Sequence, residues 1–201
     1  MRNRTKILIS AVLVVVAAAL IAFGAYATFT STATASHSVT TGTVVIALGA
    51  TGASTNRLNV DATAVAPGDT IQRSVDLINQ GSLDLASITL TTSATTSSVL
   101  DTDATNGLQL VIERCSVAWT ESGSSPAFTY TCGGSTSSVL ASRPVIGSNL
   151  ALSNLGALTA GVTDHLRLTL TLPTTADNSF QNKTSTVQYS FTGTQRAATS
   201  R

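Results

Sequence analysis

Asp164-His165-Leu166-Arg167-Leu168-Thr169-Leu170-Thr171-Leu172 alternates without a break. The leucines fall on even positions. His165, Arg167, Thr169 and Thr171 fall on odd ones. A period of two belongs to a strand with one buried face. The stretch therefore predicts a sheet with a leucine-lined inner side, and an all-β fold if the same rhythm recurs.

It does recur. Residues 185–192 alternate with Val187, Tyr189 and Phe191 inward. Residues 70–79 place Ile71, Val75 and Leu77 on one parity, and 87–92 do the same with Ile88 and Leu90. Residues 43–48 form a short apolar run, β-branched at Val44, Val45 and Ile46, too short for a helix. Residues 58–65 read as a second strand. Pro67-Gly68-Asp69 and Asn79-Gln80-Gly81-Ser82 are turn signals. Residues 93–106 and 133–142 read as polar loops, with one helical turn at 97–100. Residues 144–160 are ambiguous. Short strands between turns argue for a β-sandwich.

Composition agrees. Charged residues are 10% of the 201, aromatics 4%, and the formal net charge is +1. Thr and Ser fill the gap, which suits strands with hydroxyl-studded outer faces. There is no basic patch, so nucleic acid is not an expected partner.

The N-terminus carries Arg2, Arg4 and Lys6, then an apolar run from Ile7 to Gly24 and Ala25-Tyr26-Ala27. That is an export signal with a small-residue cleavage site. Cleavage is expected between Ala27 and Thr28. The alternative is a retained anchor, because the run approaches the spanning minimum of about 17 residues. Membrane contact is expected only through the uncleaved signal. Cleavage removes three of the 11 bases and none of the 10 acids, leaving a weakly acidic chain. The expected division is 1–27 signal peptide, 28–41 N-terminal segment, 42–195 β-sandwich and 196–201 tail.

Two cysteines, Cys115 and Cys132, suit an exported chain with one structural disulfide. Without a C-x-x-C motif, a redox-active pair has no support. Residues 107–120 and 127–131 read as two hairpin arms joined by 121–126. If Cys115 lies opposite Cys132, antiparallel register pairs Val117 with Tyr130 and Trp119 with Phe128, all on one face. Trp119, Phe128 and Tyr130 then form a hairpin surface.

Catalytic chemistry has little material. His37 and His165 are the two histidines, each read as a surface residue. No H-E-x-x-H zinc helix and no G-x-S-x-G elbow exist. Asp101-x-Asp103 lacks the glycine and the acid of an EF-hand and leaves only a two-carboxylate calcium candidate. No cofactor is implied. Asn182-Lys183-Thr184 is a formal sequon.

Three groups of residues resemble the TasA/camelysin family of exported proteins. The first is Gly24-Ala-Tyr-Ala-Thr-Phe-Thr-Ser running to Thr41-Gly42-Thr43-Val44. The second is Ala66-Pro67-Gly68-Asp69 with Val75-Asp-Leu-Ile-Asn79-Gln-Gly81. The third is Leu170-Thr-Leu-Pro173, Asn178, Phe180-Gln181 and a closing strand to Gln195. The resemblance covers nearly the whole chain. It implies processing by a SipW-type signal peptidase, a jelly-roll-like antiparallel β-sandwich and, in the TasA branch, extracellular matrix fibres. It implies head-to-tail assembly into a homopolymer, in which the freed N-terminal segment adds as a strand to the next copy. Thr28, Phe29, Thr30, His37 and Val39 would lie in that segment, with Phe29 as anchor. An open sheet edge offers unpaired groups that such a strand satisfies. Camelysins are described as cell-surface metalloendopeptidases, but the chain lacks a recognisable zinc-ligand set. The other reading is a monomeric adhesin or carbohydrate-binding module with Trp119 as its platform.

Overall fold

The computed structural model describes residues 41–62 and 64–199. The signal, its cleavage point and residues 28–40, with Phe29, His37 and Val39, lie outside them.

The described chain is an antiparallel β-sandwich. One sheet has five strands in the order β1 (Ile46–Leu48), β2 (Thr70–Asn79), β9 (Thr163–Thr171), β4 (Gln109–Cys115), β7 (Thr136–Pro144). The facing sheet has three: β10 (Thr186–Gln195), β3 (Leu85–Thr96), β8 (Gly147–Ala151). Most ladder neighbours are far apart in sequence, as in a jelly roll. A separate hairpin is formed by β5 (Trp119–Ser124) and β6 (Ala127–Cys132). A turn of α-helix is formed by Val99–Thr102, two residues beyond the turn expected at 97–100, and a short 3-10 turn by Asn178–Phe180.

β9 lies at the centre of the five-stranded sheet and has the expected parity. Leu166, Leu168 and Leu172 are buried, while His165, Arg167 and Thr169 are half-buried on the other face. β2 pairs it in register, Val75 opposite Leu166, and β4 flanks it with Ile112 opposite Leu168. Val75, Leu77, Leu110 and Ile112 meet Ile88, Leu90 and Leu150 of the other sheet in one core. Asp164 sits on the leucine parity at 0% exposure. Its carboxylate accepts from Arg114 Nε at 2.8 Å and from the N–H groups of Gly156 and Ala157 at 2.9 and 2.8 Å. A buried carboxylate needs that number of donors.

Three readings are corrected. The described residues of 58–65 form no strand: Leu58 and Val65 pack on the core, but they are seven apart and so on opposite parities, not one face of a strand. Residues 136–142, inside the stretch 133–142 read as loop, belong to β7, which runs on to Pro144. Their Ser-rich pattern hides a bulge at Val139, which puts adjacent Val139 and Leu140 both inside. The arm 107–120 breaks at Ser116-Val117-Ala118, so β4 stays in the sheet and β5 leaves it.

Candidate strand-docking edge

β10 reads Thr-Val-Gln-Tyr-Ser-Phe-Thr-Gly-Thr-Gln. It pairs with β3 from Thr186 opposite Thr96 to Gln195 opposite Leu85. On its other side no strand pairs with it among the described residues. Val187, Tyr189 and Phe191 face inward and are half-buried; Gln188, Ser190 and Thr192 face out. Edge strands are normally protected by charge, proline or shortness. Ten uncharged residues without proline have none of these. Burial pushes the Tyr189 phenol up to about 12, with Arg73 pulling the other way.

β1 begins beside the far end of this edge. A Cβ on Gly193 would stand 2.4 Å from Ile46 Cδ1. The chain before β1 is pinned to the 79–83 turn. The Val45 carbonyl accepts from Gln80 N at 2.9 Å and the Thr43 carbonyl from Ser82 N at 3.0 Å. Val44 and Val45 are exposed there, at 39% and 44%. Within the described residues the chain therefore enters β1 beside Gly193 of β10.

The hairpin is not a free platform. Its register pairs Trp119 with Cys132, Glu121 with Tyr130 and Gly123 with Phe128. That shifts the expected pairing of Trp119 with Phe128, because Cys115 lies opposite Thr136 and His165 in the large sheet. The Cys115–Cys132 disulfide thus ties the sheet to the hairpin, with Cα atoms 5.7 Å apart. Phe128 and Tyr130 are buried at 8% and 5%, and Val117 is 47% exposed. Of the expected hairpin surface only Trp119 keeps partial exposure.

Polar clamps hold the hairpin over the outer face of the five-stranded sheet. Arg57 meets Glu121 with two bonds, 2.9 and 2.6 Å, and the Tyr130 hydroxyl donates to the same carboxylate at 2.8 Å. The bond from Arg57, joined by that from Tyr130, holds the Glu121 carboxyl below the usual range against the effect of burial. The Trp119 indole N–H donates to the His165 carbonyl at 2.9 Å, and Arg167 stacks on its ring at 4.4 Å. Arg167 also pairs with Glu113. Tyr130 N donates to Gln72 Oε1 at 3.0 Å, and Arg57 lies 4.6 Å from the Phe128 ring. Sequence reading passed over Arg57, Arg73, Glu121 and Arg167. The one available signal was Arg73, a cation on the inward parity of Ile71 and Val75.

The calcium candidates have other work. Asp101 caps the helical turn, accepting from Ser98 N at 2.7 Å, Ser97 Oγ at 2.7 Å and Ser185 Oγ at 2.5 Å. Burial opposes its ionisation, but these bonds outweigh it and hold its carboxyl below the usual range. Asp103 accepts from Thr105 N and Asn106 N, both at 2.9 Å. His165 pairs with Asp76 at 2.7 Å. Among the described residues no group of three or more His, Cys, Asp and Glu side chains could hold a metal ion. Among the same residues no helix is long and apolar enough to cross a membrane.

These features define a disulfide-stapled, all-β sandwich in which β10 is unpaired on one side among the described residues. The family model described as Camelysin metallo-endopeptidase matches residues 3–200, and the chain belongs to that family. No curated protein matches it.

Proposed function

We propose that this protein is a secreted structural subunit of extracellular or biofilm-matrix filaments. Its N-terminal segment, residues 28–41, is freed by a SipW-type peptidase and adds as a strand to the next copy. The acceptor is the free edge of β10. The observation that carries this reading is that edge: ten uncharged residues, unpaired on one side among the described residues, over half-buried Val187, Tyr189 and Phe191. Segment 28–41 is likewise free of acids, lysines and arginines. A head-to-tail joint of this kind does not close and so grows a filament. Deleting residues 28–38 should leave a folded monomer with no filaments in electron micrographs. Filaments of normal yield from the truncation would refute the reading.

The family's description favours a second reading, a cell-surface metalloendopeptidase. The donor set of the described residues does not fit a zinc site, since His165 is engaged by Asp76 and no third ligand joins them. Stoichiometric zinc in purified protein, with chelator-sensitive proteolysis, would establish it.

A further inference from the structure

β7 ends the five-stranded sheet at the side away from β1. It pairs with β4 on one side, and among the described residues no strand pairs with it on the other. Residues 136–142 carry no charge and no proline; Arg143 and Pro144 come only at the end of the strand. By composition this edge is as open as that of β10, and a bare edge pairs with whatever backbone it meets. β1 and β8 also end their sheets, but they are short, with three and five residues.

What β7 has in place of a charge is a pair of polar residues bonded to its carbonyls. Asn154 Nδ2 donates to the Ser138 carbonyl at 2.8 Å. The Val139 carbonyl accepts from Ser153 N and from Ser153 Oγ, both at 3.1 Å. These donors come from the connection between β8 and β9, not from β4. One residue earlier, Leu152 N donates to the Ile88 carbonyl of β3 at 3.2 Å. Successive N–H groups thus reach opposite sheets, and the chain crosses here from one to the other. The crossing is pinned. The Asn154 carbonyl accepts from Arg114 Nη1 at 2.9 Å, and Leu155 and Ala157 are buried. Asn154 sits at φ 56°, a conformation asparagine tolerates better than most residues. Ser153 and Asn154 themselves are exposed and add little to the core.

We infer that Ser153 and Asn154 guard the β7 edge against a second copy of this chain. Residues 136–142 of two copies could pair antiparallel about a two-fold axis, with no like charges between them to prevent it. Such a joint closes on itself, unlike a head-to-tail one. Between monomers it would give dimers; between filaments it would tie two fibres side by side. The guard blocks it by occupying two neighbouring carbonyls in the middle of the strand. This goes beyond the filament reading and does not depend on it.

The test compares two double variants, expressed as the full chain, by sedimentation velocity over a range of concentrations and by electron microscopy. Ser153→Gly/Asn154→Gly strips both side-chain donors and keeps the left-handed turn, which glycine adopts freely. Ser153→Gly/Asn154→Asp loses the same donors but sets a carboxylate on the edge, a charge that keeps a second copy away. The glycine variant should associate side by side at about a tenfold lower concentration than wild type. That is the factor roughly one added hydrogen bond supplies. It would appear as dimers if wild type is monomeric and as paired fibres if wild type polymerises. The aspartate variant should behave as wild type. A glycine variant that associates no more than wild type overturns the guard. Equal association of both variants also overturns it, because a loosened fold would then be the cause. Wild-type protein that never polymerises overturns the filament reading alone, and the comparison among soluble forms still decides the guard.

Discussion

Replacing Phe128 by alanine tests whether the hairpin belongs to the folded unit or merely hangs from it. Phe128 is buried on the sheet, with Arg57 at 4.6 Å and Arg73 at 6.0 Å from its ring centroid. Removing a buried phenylalanine costs about 3–5 kcal/mol. Here the side chain already borders a cavity of about 380 Å³ open to solvent, so the lower figure applies, about 3 kcal/mol. For a domain of this size that lowers the melting midpoint by about 6–12 °C. The assay is thermal unfolding followed twice: by far-UV circular dichroism for the sheets, and by the emission of Trp119, the single tryptophan, for the hairpin. Both transitions should move down together, because Arg57, Gln72 and Arg167 connect the hairpin to the sheet. Phe128→Leu should recover most of the loss. A midpoint within about 1 °C of wild type would refute the packing argument. An early Trp119 transition with an unchanged sheet transition would refute the coupling.

Other outcomes follow from single contacts. Replacing Cys115 and Cys132 by serine opens a loop of sequence separation 17 and should cost on the order of 3 kcal/mol in chemical denaturation. Because the Glu121 carboxyl is held below its ordinary range in the folded protein, its clamp is fully present at neutral pH and is lost as pH falls through the folded value. Trp119 emission should therefore shift red on acidification, and Glu121→Gln should abolish that step. Gly81→Ala would set a Cβ 2.4 Å from the Thr43 carbonyl oxygen. It should cost about 1–3 kcal/mol and loosen the exit of the N-terminal segment, seen as faster proteolysis near Val45.

The strands that carry one buried face were legible in the sequence. Leu166, Leu168 and Leu172, or Val187, Tyr189 and Phe191, announce their parity because each strand has a solvent side and a core side. β7 was not legible: its bulge places Val139 and Leu140 inside together, and a period of two cannot describe that. Residues 58–65 misled for the opposite reason. Their apolar residues Leu58 and Val65 do pack on the core, but from a loop, and a ladder needs a neighbour that only the tertiary fold supplies. The pairing of the two cysteines was expected, but not the register of β5 on β6. That depended on Cys115 staying in the large sheet. The candidate edge was half visible. The uncharged composition of β10 is in the sequence, whereas its lack of a second neighbour among the described residues is a property of strand order.

β10 carries no ionisable group other than Tyr189, whose phenol is neutral at any ordinary pH. In the proposed joint the partner segment offers only His37 and its freed α-amino group for dissolved ions to mask, so sodium chloride should change the joint little. The two strands also exert little pull on each other at a distance, which leaves encounter at the unaided rate of about 10⁵–10⁶ M⁻¹s⁻¹. A fibre built that way would set as firmly in brine as in rainwater, and its growth would follow how much protein is delivered to the spot.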